Sequence, residues 1–211
     1  MKVVLKKVNL LNPYQKLNGK EDVLIEDGII TKIGGVKEAD TKSAKVFDFE
    51  KKYCVPGLFD MHVHLREPGR EDEETIETGS NAAAAGGFTG IACMPNTSPD
   101  IDSAEVVRFI KEKSAKHLVD VYPVGAATLK RKGEAISPMF ELYEAGAVAF
   151  SDDGVAVKTA AVLRNVLEYS KMFGTPLIEH CEDESLAAGA IMNLPLQQFS
   201  VCLLFQLLQK I

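Results

Sequence analysis

The sequence predicts an α/β protein in which a parallel sheet follows a small all-β segment. Short apolar runs separated by turn signals fill residues 1–55, whereas strands and helices alternate after Val55-Pro56-Gly57. The ends of the later strands recur about every 30 residues, the usual length of one βα unit. Repeated βα units favour a parallel sheet, either doubly wound or closed as a (β/α)8 barrel.

The composition is that of an ordinary globular protein and excludes several classes of function. The chain has 211 residues, of which 46% are hydrophobic and 26% charged, with a formal net charge of −6. Lysine and arginine are scattered, so no basic patch indicates a nucleic-acid partner. No apolar run is long enough to predict a membrane span. The N-terminus lacks a signal-peptide pattern and no CxxC pair occurs, which favours a cytoplasmic protein with free thiols.

Residues 1–55 are predicted to form a small β module. The apolar runs that predict its strands are 3–8, 22–25, 29–33 and 45–49. Asn18-Gly19 and Asp27-Gly28 are strong hairpin signals, because both residues of such a turn need a positive φ.

About five βα units are predicted after residue 56, whereas a closed barrel needs eight. The predicted strands are 57–64, 89–94, 118–124, 147–151 and 176–180. The predicted helices are 72–86, 103–117, 138–145 and 158–173. Ser103 is a candidate N-cap, and glycines follow the helices at Gly86, Gly146 and Gly174.

Two histidines close the first strand of this series. His62 and His64 are two residues apart, so their side chains point to the same side of the strand. In barrels the carboxyl end of the strands carries the active site, and imidazole is a good ligand for zinc and similar metals. By itself the pair also fits two polar histidines that merely end a strand.

The surrounding residues carry a resemblance to a known family. Residues 56–69, PGLFDMHVHLREPG, resemble the amidohydrolase superfamily, and the REPG continuation resembles cyclic amidases, dihydroorotases in particular. The likeness continues in residues 94–97 (MPNT), 151–154 (SDDG) and 179–183 (EHCED). It implies a partial TIM (β/α)8 barrel of about five βα units preceded by a small β-sandwich module. The expected organisation is a β module at 1–55, a partial metal-dependent hydrolase barrel at 56–192 and an aberrant apolar tail at 193–211.

The same resemblance implies a metal site. His62 and His64 would hold one ion, Asp153 rather than Asp152 would bridge two ions, and His180 would bind the second. Zinc is the expected metal, with two ions in intact family members. A metal lowers the pKa of a bound water from ~15.7 toward ~7 and polarises an amide carbonyl. Related hydantoinases and allantoinases use a carboxylated lysine at the bridging position, and residues 148–154 contain no lysine, which favours the dihydroorotase interpretation.

A cation is needed to bind the carboxylate of dihydroorotate. Arg66 follows the histidine pair, and its planar guanidinium fits a carboxylate with two parallel hydrogen bonds. The resemblance implies that Arg66 and Asn96 bind this carboxylate together. A surface ion pair of Arg66 with Glu67 or Asp72 is the alternative. Residues 130–132 (Lys-Arg-Lys) are interpreted as a solvated basic loop.

The implied function is that of a zinc-dependent cyclic amidohydrolase. A dihydroorotase catalyses the reversible hydrolysis of dihydroorotate to N-carbamoyl-aspartate in pyrimidine biosynthesis. Intact members are typically cytoplasmic homodimers, and some associate with aspartate transcarbamoylase. Two alternatives stay open: another cyclic amidase, such as an allantoinase or a hydantoinase, or a non-catalytic scaffold for aspartate transcarbamoylase.

The last residues differ from the rest of the chain. Residues 193–211 are apolar with one charge, at Lys210, and lack the basic polar face of a membrane-surface helix. The resemblance implies a further histidine ligand and a catalytic aspartate, the general acid/base, beyond Ile211. We therefore expect a truncated or frame-shifted chain that is poorly soluble and inactive alone, and predict no catalytic acid/base within it.

Overall fold

The computed structural model describes residues 1–182. The predictions made for residues 183–192 and for the tail at 193–211 lie outside this range. The chain divides into two compact units, with the boundary between Gly57 and Leu58. None of the helices in the described range combines the length and the apolar composition needed to cross a membrane.

The first unit, residues 1–57, is a five-stranded mixed sheet with one short helix. Its elements are β1 Lys2–Asn12, β2 Leu17–Glu26, β3 Ile29–Ile33, α1 Glu38–Thr41, β4 Lys45–Asp48 and β5 Tyr53–Cys54. The strand order is β3-β2-β1-β4, and β5 also pairs with β1. β1 is antiparallel to β2 and parallel to β4 and β5. Residues 1–57 thus contain one sheet, and the second layer of the predicted sandwich is not among them.

The two hairpin signals of this unit have different outcomes. Asp27-Gly28 does form the turn between β2 and β3, with φ angles of 50° and 84°. The Asn18-Gly19 prediction is wrong: both residues lie inside β2, and the turn is at residues 13–16. Pro13 has no backbone N–H to continue the ladder, so β1 ends at Asn12 and the chain turns before it reaches Asn18.

The second unit begins at Leu58 and contains the predicted alternation of strands and helices. Its elements are β6 Leu58–Val63, α2 Ile76–Ala85, β7 Phe88–Cys93, α3 Ala104–Ser114, β8 Asp120–Ala126, α4 Met139–Ala145, β9 Ala149–Ser151 and α5 Ala160–Lys171. The strands pair in parallel in the order β6-β7-β8-β9. The predicted fifth strand is present as a parallel bridge between Phe150 and Leu177.

The helices of this unit begin and end where the local chemistry dictates. The Thr75 side chain accepts a hydrogen bond from Thr78 N and caps α2, which therefore starts after the predicted residue 72. Thr159 caps α5 in the same way. Ser103 does precede α3, but its side chain makes no capping hydrogen bond. α4 ends as predicted at Gly146, whose φ of 111° is left-handed.

The two faces of the parallel sheet have different neighbours, and this difference decides between the two candidate architectures. On one face, strand residues such as Ile91, Cys93 and Phe150 pack in a single cluster with residues from α2, α3, α4 and α5. On the other face, the cluster contains residues from β7, β8, β9 and the segment after β9. A doubly wound sheet carries helices on both faces. Within residues 58–182 the fold is therefore a half-barrel, and closure into a full barrel stays a prediction.

Candidate metal centre

Two imidazoles and one carboxylate converge at the carboxyl end of the half-barrel. His62 lies in β6, His64 follows that strand, and Asp153 follows β9. His62 Nε2 is 3.2 Å from Asp153 Oδ1, and His64 Nε2 is 3.6 Å from Asp153 Oδ2. One ligand atom from each residue can be chosen so that all three lie within 4.8 Å of one another. The three side chains predicted from strand-end positions are therefore brought together.

The convergence depends on the curvature of the sheet. β6 and β9 are the outer strands of a four-stranded order, and in a flat sheet three strand spacings would separate them by roughly 14 Å. Because the sheet curls, side chains from its two outer strands meet across its concave face. The fold thus places ligands that are far apart in the sequence at one point.

The neighbouring aspartates at the end of β9 have different surroundings. Asp152 is fully buried and accepts hydrogen bonds from the backbone N–H of Thr128, at 2.9 Å, and from the Thr128 hydroxyl. Burial raises the pKa of Asp152, although the hydrogen bonds from Thr128 oppose this shift. The carboxylate of Asp153 faces the two imidazoles instead. This orientation supports Asp153 over Asp152 as the bridging ligand.

Asn96 links two of the candidate ligands. Its Nδ2 donates to Asp153 Oδ2 at 3.3 Å, and its Oδ1 lies 2.9 Å from His64 Nδ1. Since an ionised carboxylate can only accept, the amide nitrogen must face Asp153 and the amide oxygen must face His64. In this orientation Asn96 Oδ1 can accept a hydrogen bond from His64 Nδ1–H, and that tautomer would present the Nε2 lone pair to the centre. Sequence reasoning assigned Asn96 to the substrate and did not reveal this orienting contact.

Arg66 takes part in an ion pair, but with a different partner from those considered above. Its Nε is 3.1 Å from Glu73 Oε2, and the side chain is about one-third exposed. The loop that carries Arg66 is tied to the loop that carries Asn96, because Ser98 N donates to Pro68 O at 2.9 Å. Gly69 lies against this contact with a φ of 102°, and a Cβ there would meet Ser98 O at 2.1 Å.

His180 follows the bridge that extends the sheet beyond β9. Ile178 N donates to Phe150 O at 2.8 Å, so the segment runs parallel to β9. His180 is not part of the three-residue group of His62, His64 and Asp153. The Nε2 atom of His180 lies 2.8 Å from Glu182 Oε2. Adjacent Glu179 accepts from Val157 N at 2.9 Å, and burial raises its pKa. The role of His180 as a ligand of a second ion stays a prediction.

The basic loop at residues 130–132 is not wholly solvated, which corrects the interpretation of Arg131. Its side chain is only 22% exposed, and its Nε lies 2.7 Å from Asp100 Oδ1. Its Nη1 donates to the backbone carbonyl of Asp153 at 2.7 Å. A run of three basic residues gives no signal that the middle one is directed inward, so only the fold reveals this contact.

Comparison with known proteins identifies the family. The model of the Dihydro-orotase-like family matches residues 51–204, most of the chain. The chain belongs to the dihydroorotase-like family. The matched range includes residues 193–204, which the sequence analysis assigned to the apolar tail.

Curated relatives agree with this assignment. The chain is 49% identical over 193 residues to a dihydroorotase of Pelotomaculum thermopropionicum, which covers 92% of this chain and 45% of the relative. It is 47% identical over 192 residues to a dihydroorotase of Acetivibrio thermocellus, with 90% and 45% covered. This member of the dihydroorotase-like family therefore spans about half the length of the curated relatives it matches.

Solved structures show the same fold. An L-hydantoinase (dihydropyrimidinase) from Arthrobacter aurescens superposes with a TM-score of 0.74 at 22% identity, covering 87% of this chain and 41% of that one. A D-hydantoinase (dihydropyrimidinase) from a Thermus species gives a TM-score of 0.67 at 27% identity, with 88% and 41% covered. The family member described here thus shares the architecture of cyclic amidohydrolases.

Proposed function

We propose that this chain carries the metal-binding part of a zinc-dependent dihydroorotase, which hydrolyses dihydroorotate reversibly to N-carbamoyl-aspartate. The observation that carries the proposal is the approach of His62 Nε2 and His64 Nε2 to the two oxygens of Asp153, at 3.2 and 3.6 Å. This approach occurs at the strand ends where barrels place their active sites. The 47–49% identity to curated dihydroorotases supports the choice of substrate.

The donor set fits the metal that the family implies. Zinc takes imidazole nitrogen and carboxylate oxygen at about 2.0–2.2 Å, so two of its ligands lie roughly 3.4 Å apart in a tetrahedral site. One donor atom from each of His62, His64 and Asp153 can be chosen within 4.8 Å of the other two, and the His–Asp distances of 3.2 and 3.6 Å run to different oxygens of Asp153. His62 and His64 would hold one ion, Asp153 would bridge to a second ion, and His180 would bind that second ion. Bound zinc supplies a Lewis acid that polarises an amide carbonyl and acidifies water.

The chain's own residues orient these groups and bind the substrate. Asn96 contacts His64 Nδ1 and Asp153 Oδ2 and still has a second amide N–H to offer to a carboxylate. Arg66 pairs with half-exposed Glu73, and such surface pairs contribute little, so a substrate carboxylate can replace Glu73. We propose that Arg66 and Asn96 bind the carboxylate of dihydroorotate and place its ring amide at the metal.

The structural similarity to hydantoinases makes a second cyclic amidase the competing proposal. The residue that faces the two imidazoles separates the candidates, because it is Asp153 here and residues 148–154 contain no lysine to be carboxylated. A metal-free scaffold for aspartate transcarbamoylase is the third candidate. The approach of all three donors speaks against it, since a scaffold has no need of a donor cluster.

Metal binding tests the first step. The full 211-residue chain, produced on a fusion partner without metal sites, is titrated with Co²⁺ and its visible spectrum recorded. We expect one equivalent of Co²⁺ to bind tightly at the site formed by His62, His64 and Asp153. His64→Ala and Asp153→Ala should each weaken this binding at least ~100-fold. His117→Ala is the control, since His117 lies outside the group. A chain that binds no metal would support the scaffold and overturn the proposal.

Substrate choice is tested in a chimera. Residues 1–182 of this chain replace the matching part of the Pelotomaculum thermopropionicum dihydroorotase, which supplies the remainder. We expect turnover of dihydroorotate, no turnover of allantoin or hydantoin, and loss of turnover in the His64→Ala chimera. Arg66→Met should raise KM for dihydroorotate far more than it lowers kcat. Preferred turnover of hydantoin would select the second candidate instead.

The remaining parts of the proposal concern partners and location. We propose that the intact protein is a cytoplasmic homodimer and that it also associates with aspartate transcarbamoylase. These rest on the family resemblance alone. Light scattering of the chimera, with and without the transcarbamoylase, tests both associations.

A further inference from the structure

The loop after β8 has an unusual backbone for its composition. Thr128 and Ile136 pair in an antiparallel bridge that closes the loop, and residues 129–131 form a single 3-10 turn. Lys130 and Arg131 both have left-handed φ angles, of 52° and 47°. Side chains with a Cβ rarely adopt this conformation, and it persists only where surrounding contacts hold it.

Arg131 makes such contacts, and one of them is with the candidate metal ligand Asp153. Its Nε donates to Asp100 Oδ1 at 2.7 Å. Its Nη1 donates to the backbone carbonyls of Asp153 and Asp152, at 2.7 and 3.4 Å. One guanidinium therefore joins the loop after β7, which carries Asp100, to the loop after β9, which carries Asp153. Its planar fork permits both contacts at once, which the single ammonium of a lysine cannot reproduce.

The backbone of Asp153 is held on both sides of its Cα. Its N–H donates to the Ser151 hydroxyl at 3.0 Å, and its C=O accepts from Arg131. The preceding Asp152 is fixed by its carboxylate to Thr128. These bonds set the direction of the Asp153 side chain, whose oxygens then face His62 and His64. Of these contacts, that from Arg131 is the one made by a charged side chain to the ligand residue itself.

We infer that Arg131 is a positioning residue for the metal-bridging carboxylate of Asp153, and that Asp100 orients the guanidinium of Arg131. The inference rests on the proposed function in one respect, namely that Asp153 binds metal. It goes beyond that proposal by assigning a role to a loop residue outside the group of three candidate donors. The contact to Asp153 is made to its backbone carbonyl, so it acts on the direction of the backbone that bears the carboxylate.

The test compares Co²⁺ binding to the full chain and to four variants on the same fusion partner. Arg131→Met removes the hydrogen-bond donors and keeps the bulk of the side chain, whereas Arg131→Lys keeps the positive charge. Asp100→Asn keeps the guanidinium but weakens the ion pair that orients it. Arg164→Met is the matched control, because Arg164 forms an exposed pair with Glu168 on α5. Affinity is measured by chelator competition, and ligand geometry by the visible spectrum of bound Co²⁺.

We expect Arg131→Met to weaken Co²⁺ binding ~10–100-fold, the usual effect of losing a group that orients a ligand, and to shift the spectrum. Arg131→Lys should not restore the original spectrum, Asp100→Asn should have a smaller effect of the same sign, and Arg164→Met should have none. Hydrogen exchange of the β8 and β9 peptides without metal controls for folding. A purely structural role would change exchange and leave the spectrum of the bound fraction unchanged.

The outcomes separate this inference from the proposed function. If the unmutated chain binds no Co²⁺, the metal site itself is refuted, and the inference with it. If the unmutated chain binds and Arg131→Met binds within about twofold with the same spectrum, only the inference is refuted. Should Arg131→Met fail to fold, Asp100→Asn decides: an unchanged affinity and spectrum in that variant overturns the role of the pair.

Discussion

Among residues 1–182, the carboxylates whose pKa values are raised by burial lie in the second unit, whereas carboxylates with lowered pKa values occur in both units. In residues 1–57 the carboxylates with shifted pKa values are exposed or partly exposed, and hydrogen bonds from nearby donors lower each pKa; they are Glu26, Asp27, Asp40, Asp48 and Glu50. At the strand ends of the second unit, burial raises the pKa values of Asp152 and Glu179. The comparison teaches that carboxylates removed from water lie beside the candidate site, whereas paired surface charges occur in both units and do not single out a site.

Removal of the largest core side chain should give the strongest effect and confine it to the second unit. Phe150 is fully buried among residues of the sheet and its helices. Phe150→Ala should destabilise this unit by about 3–5 kcal/mol, because a cavity replaces the ring. Peptide-resolved hydrogen exchange should show faster exchange in β8 and β9. Leu118→Ala is the control, since Leu118 is 94% exposed; equal effects of the two variants would contradict the assigned core.

Thiol reactivity should be lower for the buried cysteine of the second unit than for the partly buried cysteine of the first unit. Cys93 in β7 is buried, and burial raises its pKa to about 12, so the thiol stays protonated at pH 8. Cys54 in β5 is only partly buried. We expect alkylation of Cys93 in the folded chain to be about 100-fold slower than that of Cys54, because the thiolate is the reactive form. Mass spectrometry of the labelled peptides measures this, and comparable rates would show that β7 is not in a closed core.

A hydroxyl at the buried end of the sheet should matter more than one on the surface. Thr128→Val removes one of the donors to buried Asp152 and should cost about 1–3 kcal/mol, seen as faster exchange in β8 and β9. Thr31→Val in the first unit removes a similar donor to exposed Glu26, and water can replace it. If Thr31→Val proves as costly as Thr128→Val, burial is not what distinguishes the two units.

The smallest effect is expected from a surface ion pair of the first unit. Lys7 Nζ lies 2.9 Å from Asp48 Oδ2, which lowers the pKa of Asp48. A lowered folded pKa means that the stabilisation is present above the unfolded pKa and is lost as the pH falls through the folded value. Lys7→Met should therefore speed exchange in β4 slightly at pH 7 and low salt, and not at all in 1 M salt. A large effect that persists in high salt would contradict a solvent-screened pair.

Patterns in the sequence predicted the alternation of the second unit and the three donors of its site. Period-two spacing placed His62 and His64 on one side of a strand, the strand-end rule placed both Asp152 and Asp153 at the same rim, and the family resemblance chose Asp153. The contacts of Arg131 could not be predicted, because they depend on how two loops far apart in the sequence approach each other. The hairpin at Asn18-Gly19 failed for a local reason, since Pro13 ends the β1 ladder and the chain turns at residues 13–16 instead.

The tie between the loops after β6 and β7 also limits what the rim can accept. Because Ser98 N is bonded to Pro68 O and Gly69 leaves no room for a Cβ, the backbones that bear Arg66 and Asn96 are spaced by main-chain contact. Any increase in the distance between these two backbones would have to break the hydrogen bond from Ser98 N to Pro68 O. The distance between these two backbones is thus set by main-chain contacts, which the exchange of one side chain for another cannot easily relax.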